Sequence, residues 1–151
     1  MQVRVYGESS HQLDEKGRIN IPRKFQVLFL QGGFLTRAFN GQSLVFWAQD
    51  AWAAVQERLG NIEFTEVAAD DVARYLSCGT EVQLDGQGRL SIPPNLRRRT
   101  KLDKDVTLLA MGDKIEIWDT QTWLDYDAER LTPSAMGQAL SDLKQGSNTA
   151  E

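Results

Sequence analysis

Leu13-Asp14-Glu15-Lys16-Gly17-Arg18-Ile19-Asn20-Ile21-Pro22 decides the fold, because Leu84-Asp85-Gly86-Gln87-Gly88-Arg89-Leu90-Ser91-Ile92-Pro93 repeats it 71 residues later. The same offset lays Gly41 on Gly112, Trp47 on Trp118 and Trp52 on Trp123, so no insertion or deletion has broken the register. A repeat of this length is a supersecondary unit with one apolar face to bury. The chain therefore reads as two copies of one half-domain, and its function is expected in what the copies share.

Each copy of the stretch encodes a turn. A three-residue hairpin loop ends on a left-handed residue, and Gly17 and Gly88 fill that position, where a side chain would cost energy. The turn predicts a hairpin in which Asp14 faces Arg18, and Asp85 faces Arg89, as cross-strand pairs of opposite charge. Beyond it, Ile19 and Ile21 share one strand face while Arg18 and Asn20 share the other, an alternation that Leu90, Ile92, Arg89 and Ser91 reproduce. Pro22 and Pro93 end these strands, since neither can donate a ladder hydrogen bond, and each suits the first position of a helix.

Further out, short helices are expected from Pro22 to about Leu30 and from Pro94 to about Thr100. Strands follow at Phe34 to Phe39, Ser43 to Trp47, Val106 to Met111 and Lys114 to Trp118, joined by the turns Asn40-Gly41-Gln42 and Gly112-Asp113. A helix capped by Asp50 in the first copy, and by Asp119 or Thr120 in the second, carries Trp52 or Trp123, and the four tryptophans read as packing residues. Phe64 to Ser77 predicts an extra helix. Leu131 to Lys144 predicts a helical tail, with Pro133 near its start and disordered polar residues from Gly146 to Glu151. The expected divisions are a first half at 1–62, a connecting helix region at 63–79, a second half at 80–130 and a helical segment with polar tail at 131–151.

Composition narrows the function classes. With 41% apolar and 25% charged residues in 151, the chain is ordinary for a soluble globular protein, and no apolar run or secretory leader is visible. A cytoplasmic location is expected. One cysteine, Cys78, and one histidine, His11, make neither an internal disulfide nor a zinc site, and Cys78 reads as a small packing residue. His11 has no evident nucleophile beside it, the two aspartates have arginine partners, and no phosphate-binding glycine loop occurs. Neither an enzyme nor a cofactor is expected; a hydrolase using the two aspartates is the enzymatic alternative.

The formal net charge is −4, but its distribution is uneven. Residues 1–27 hold Arg4, Lys16, Arg18, Arg23 and Lys24 against three acids, and residues 88–104 hold six basic groups against Asp103 alone. Basic side chains attract phosphates by releasing counterions, and a guanidinium can read a guanine edge bidentately. Asp14, Lys16, Gly17, Arg18, Asn20, Arg23, Lys24 and Arg89 are the candidate DNA-binding residues. Arg18 and Arg89 could equally serve only as partners of Asp14 and Asp85, and Arg97-Arg98-Arg99 could be a solvated helix face or a DNA contact.

The doubled Asp-x-x-x-Arg pattern with glycine before the arginine, its Ile-x-Ile-Pro or Leu-x-Ile-Pro continuation, and Ile115-Glu116-Ile117-Trp118-Asp119 resemble MraZ, a family of bacterial transcriptional regulators. The resemblance spans roughly residues 3 to 130. It implies an α+β fold of the SpoVT/AbrB kind, a tandem-repeat swapped-hairpin (double-split) β-barrel with flanking helices. It also implies a ring-shaped homo-oligomer on double-stranded DNA at the nucleoid, acting on the promoter of a division and cell-wall gene cluster, with no membrane or small-molecule substrate. The alternatives are an AbrB-like antitoxin and a ring-forming scaffold. Pro94 after Pro93, where the first copy has Arg23, and the neutral loop Gly86-Gln87-Gly88 depart from strict repetition.

Overall fold

Apolar residues that recur at the repeat offset fill one shared core. Ile19 and Leu90, Ile21 and Ile92, Phe25 and Leu96, Leu35 and Val106, Leu44 and Ile115, and Phe46 and Ile117 are all buried in it. The computed structural model in which they meet describes residues 3–61 and 66–149. The expected boundary at 62/63, the Phe64 start of the extra helix, and Ala150 and Glu151 of the tail lie outside the described residues.

The first copy forms β1 (Val5–Gln12), β2 (Arg18–Asn20), α1 (Arg23–Gln26, continued by a 3-10 turn Val27–Phe29), β3 (Gly33–Arg37), β4 (Leu44–Ala48), α2 (Gln49–Gly60) and α3 (Glu66–Leu76). The second forms β5 (Thr80–Val82), β6 (Arg89–Ser91), α4 (Pro94–Arg99), β7 (Asp105–Gly112), β8 (Lys114–Asp119), α5 (Thr120–Arg130) and α6 (Pro133–Thr149). Two compact units divide the chain, residues 1–120 and residues 121–151.

Within the first unit, an antiparallel sheet has the order β1-β7-β8-β4-β3-β5, and β2 pairs with β6 in a separate two-stranded ribbon. The ladders run between repeats. β1 lies along β7, with Val5 opposite Gly112 and Gln12 opposite Asp105, while β5 lies along β3 and β4 along β8. Among the described residues no ladder joins the two edge strands, β1 and β5, so strand pairing does not close the sheet into the expected barrel.

The hairpin reading needs a correction at the same point. The turn itself forms and is closed from both sides, its Gly17 amide bonding the Asp14 carbonyl and the Asp14 amide bonding the Arg18 carbonyl, each at 3.0 Å, but no ladder joins β1 to β2 beyond that pair. β2 finds β6 instead, because Ile19 and Leu90, directly opposite one another, are buried together only when the ribbon crosses the repeats. Asp14 and Arg18 thus face one another as expected, as the closing pair of the turn and not within a longer ladder.

Helix ends differ too. α2 begins at Gln49, so Asp50 lies in its first turn and not at the cap, and no side chain caps that end. Its carboxylate there still complements the positive end of the helix dipole. α3 docks on β3 through Arg37, whose Nε donates to the Tyr75 carbonyl at 2.8 Å while its guanidinium sits 3.8 Å from the Tyr75 ring centroid. Of the tryptophans, Trp118 and Trp123 are buried, whereas Trp47 and Trp52 are half-buried; Trp52 stacks on Phe34 at 4.3 Å between centroids.

In the second unit, Thr132 caps α6 by accepting the Ala135 amide at 3.1 Å, with Pro133 as the first helical residue. The helix continues to Thr149, correcting the expectation of disorder from Gly146: once nucleated, a helix extends through polar residues at little further cost.

Candidate nucleic-acid interface

The β2/β6 ribbon carries two turns at its two ends. Arg18 lies opposite Ser91 and Asn20 opposite Arg89, and beyond the ladder the Ile92 amide bonds the Gly17 carbonyl at 2.9 Å while the Ile21 amide bonds the Gly88 carbonyl at 3.0 Å. Each repeat's turn is therefore stitched to the strand that leads into the other repeat's helix. Ile19 and Leu90 face inward, so period-two alternation puts Arg18, Asn20, Arg89 and Ser91 on the outer face, the two arginines diagonal to each other.

Asp14 organises the first turn. Its Oδ1 accepts the backbone amides of Lys16 and Arg18, each at 2.9 Å, and its Oδ2 accepts Arg18 Nε at 2.8 Å. Asp85 repeats this with Gln87 at 2.9 Å, the Arg89 amide at 3.0 Å and Arg89 Nε at 2.8 Å. The Arg18 amide above all, then the Arg18 side chain and the Lys16 amide, outweigh desolvation and hold the Asp14 carboxyl below the ordinary carboxylate range; Asp85 is lowered in the same way by Arg89 and Gln87. Because each pair uses Nε, Nη1 and Nη2 of Arg18 and Arg89 have no hydrogen-bond partner among the described residues. The aspartates thus fix two guanidinium forks and leave their terminal edges available.

Asp14, Lys16, Gly17, Arg18, Asn20 and Arg89 come together on this ribbon and its first turn. Arg23 and Lys24 lie beyond Pro22, exposed on α1, with the Lys24 ammonium 5.1 Å from the Phe25 ring centroid. Sequence reasoning missed two contacts. Arg97 of α4 covers Gly17, and Gln26 of α1 covers Gly88; the repeat offset relates these two residues and could have flagged them. It also missed that His11 has a hydroxyl beside it, since Ser9 Oγ hydrogen-bonds His11 Nε2 on the same face of β1, as their spacing of two could have shown. Burial lowers the His11 pKa, keeping the ring neutral, and no carboxylate bonds it among the described residues. Among the described residues no carboxylate therefore orients this pair as a nucleophile–base couple.

No helix among the described residues is long and apolar enough to cross a membrane. A family model described as "MraZ protein, putative antitoxin-like" matches residues 5–75 and again residues 76–141. Its two matches coincide with the two copies that build the ribbon from both sides, and together they take in most of the chain; it belongs to the MraZ family.

Proposed function

We propose that the outer face of the β2/β6 ribbon is the DNA-reading surface of a sequence-specific transcriptional regulator that works as a homo-oligomer, a ring, without a cofactor. The observation that carries this reading is the pair of aspartate-braced arginines set diagonally on one two-stranded antiparallel ribbon, opposite Asn20 and Ser91. A ribbon of two strands fits the major groove, where an arginine fork matches guanine O6 and N7 and an asparagine matches adenine. Lys16, Arg23 and Lys24 supply phosphate attraction. In the same reading the crossed ladders belong to a swapped-hairpin barrel that the ribbon helps to complete, the protein acts in the cytoplasm at the nucleoid, and the target is the division and cell-wall cluster promoter.

Arg18→Ala is the direct test. The side chain lies on the outer face, so its loss should leave the melting temperature nearly unchanged while weakening binding to a promoter duplex by about 10- to 100-fold, the value of one bidentate base contact. Fluorescence anisotropy beside a thermal melt measures both, and unchanged affinity in a folded variant removes Arg18 from the interface. The antitoxin-like wording of the family description favours a second reading, in which the ribbon or the ring engages a protein. An electrophoretic shift that fails on promoter and random duplex alike at physiological salt would favour that reading.

A further inference from the structure

Arg97 stands over the first turn but belongs to the second repeat. A methyl group on Gly17 would lie 2.5 Å from its Nη1 and 2.7 Å from its Cζ, so the guanidinium rests directly on the glycine. Its Nε is buried without a hydrogen-bond partner, and no carboxylate pairs with it among the described residues. Gln26, its counterpart at the repeat offset, covers Gly88 in the same manner and donates its amide to the Ile21 carbonyl at 2.8 Å.

Two turns of one geometry thus differ in charge. The first gathers Lys16, Arg18 and Arg97 against Asp14 and Glu15; the second has Arg89 against Asp85, with Gln87 and Gln26 where the first has Lys16 and Arg97. Covering a glycine does not require a cation, because Gln26 does it with a satisfied amide. A partly desolvated guanidinium without an acid is costly unless an anion completes its bonding, and phosphate oxygens suit that fork. We propose that Arg97 is a phosphate-binding residue that the second repeat supplies to the first repeat's turn, making that turn the stronger nucleic-acid contact of the two. The proposal rests on the DNA reading above and deepens it by naming which turn dominates and through which residue.

The test uses the full chain and a 30-base-pair random-sequence duplex, because a phosphate contact acts on every sequence. Anisotropy is followed across a salt series, with a thermal melt for each variant. Arg97→Gln, the residue the molecule already uses over Gly88, should melt like the parent, weaken binding several-fold and lower the slope of log affinity against log salt by about one unit per engaged turn. Arg97→Lys should keep the slope, and Gln26→Arg should raise it. An unchanged slope in folded Arg97→Gln overturns the proposal. Should that variant fail to fold, Gln26→Arg decides: a steeper slope supports the proposal and an unchanged slope overturns it. If Arg18→Ala loses promoter binding while Arg97→Gln keeps its slope, only the Arg97 proposal fails; if the parent binds neither promoter nor random duplex, the DNA reading fails with it.

Discussion

Three carboxylates respond to pH in two opposite ways. Asp14 and Asp85 have lowered pKa values, so their stabilising bonds are present above the ordinary aspartate value and are lost only as pH falls through the still lower folded value. Both turns should therefore persist through mildly acidic conditions. Glu116 is the reverse case. Burial, opposed by the Trp118 Nε1 bond at 3.0 Å and by Lys114, raises its pKa; Asn40 Nδ2 also donates to it at 3.2 Å. Its contribution is fully present below the ordinary glutamate value of about 4.3 and declines as pH rises through the folded value. Glu116→Gln should consequently flatten the dependence of melting temperature on pH above about 4.3. The slope is the readout, since the amide keeps one acceptor oxygen and forfeits the Asn40 bond; an unaltered slope would show that Glu116 is not the titrating group.

At the scale of elements, the first turn can be separated into conformation and contact. Gly17 and Gly41 have nearly the same left-handed backbone, φ 75° and 76°, yet a methyl group on Gly17 would run into Arg97 while one on Gly41 would meet nothing within 4 Å. Gly41→Ala should cost the conformational strain, about 1–2 kcal/mol, and Gly17→Ala the same strain with little added, because what its methyl meets is the far end of the flexible Arg97 side chain, as urea melts would reveal. A much larger loss at Gly17 would mean that the Arg97 guanidinium is held firmly in place. Gly17, Pro22 and the alternation of Arg18, Ile19 and Asn20 made the turn, the strand end and the outer face legible in the sequence, and both prolines sit where strands give way to helices. The choice between β2 pairing with β1 or with β6 was not legible: identical patterns in two copies satisfy alternation either way, and only the joint burial of Ile19 and Leu90 decides it. The cover over Gly17 was equally hidden, because an arginine in a basic run looks like a solvated helix face until tertiary packing places it.

For the whole molecule, four of the six ladders among the described residues join one repeat to the other, leaving only β3–β4 and β7–β8 within a copy. A half separated from its sister loses the partners of its first two strands and exposes Ile19, Ile21 and Phe25. Because the copies share one pattern, a second molecule of the same half can stand in for the missing one in an isologous pair. Residues 1–76 made alone should thus fold only as a dimer, with a melt that shifts with concentration. Native mass spectrometry and calorimetry check this, and a monomer with a cooperative, concentration-independent melt would contradict it.

The pairing of β1 with β7 also imposes an order of events on synthesis. Val5 must wait for Gly112, more than a hundred residues downstream, before its first ladder bond can exist. At translation rates of roughly 5–20 residues per second, that delay is on the order of 5–20 seconds, far longer than hydrophobic collapse takes. The nascent first copy spends this interval with its apolar strand faces unmatched, and other nascent copies on the same message offer it complementary strands. The reciprocity that gives the finished protein its single core thus makes the growing chain dependent on being completed promptly.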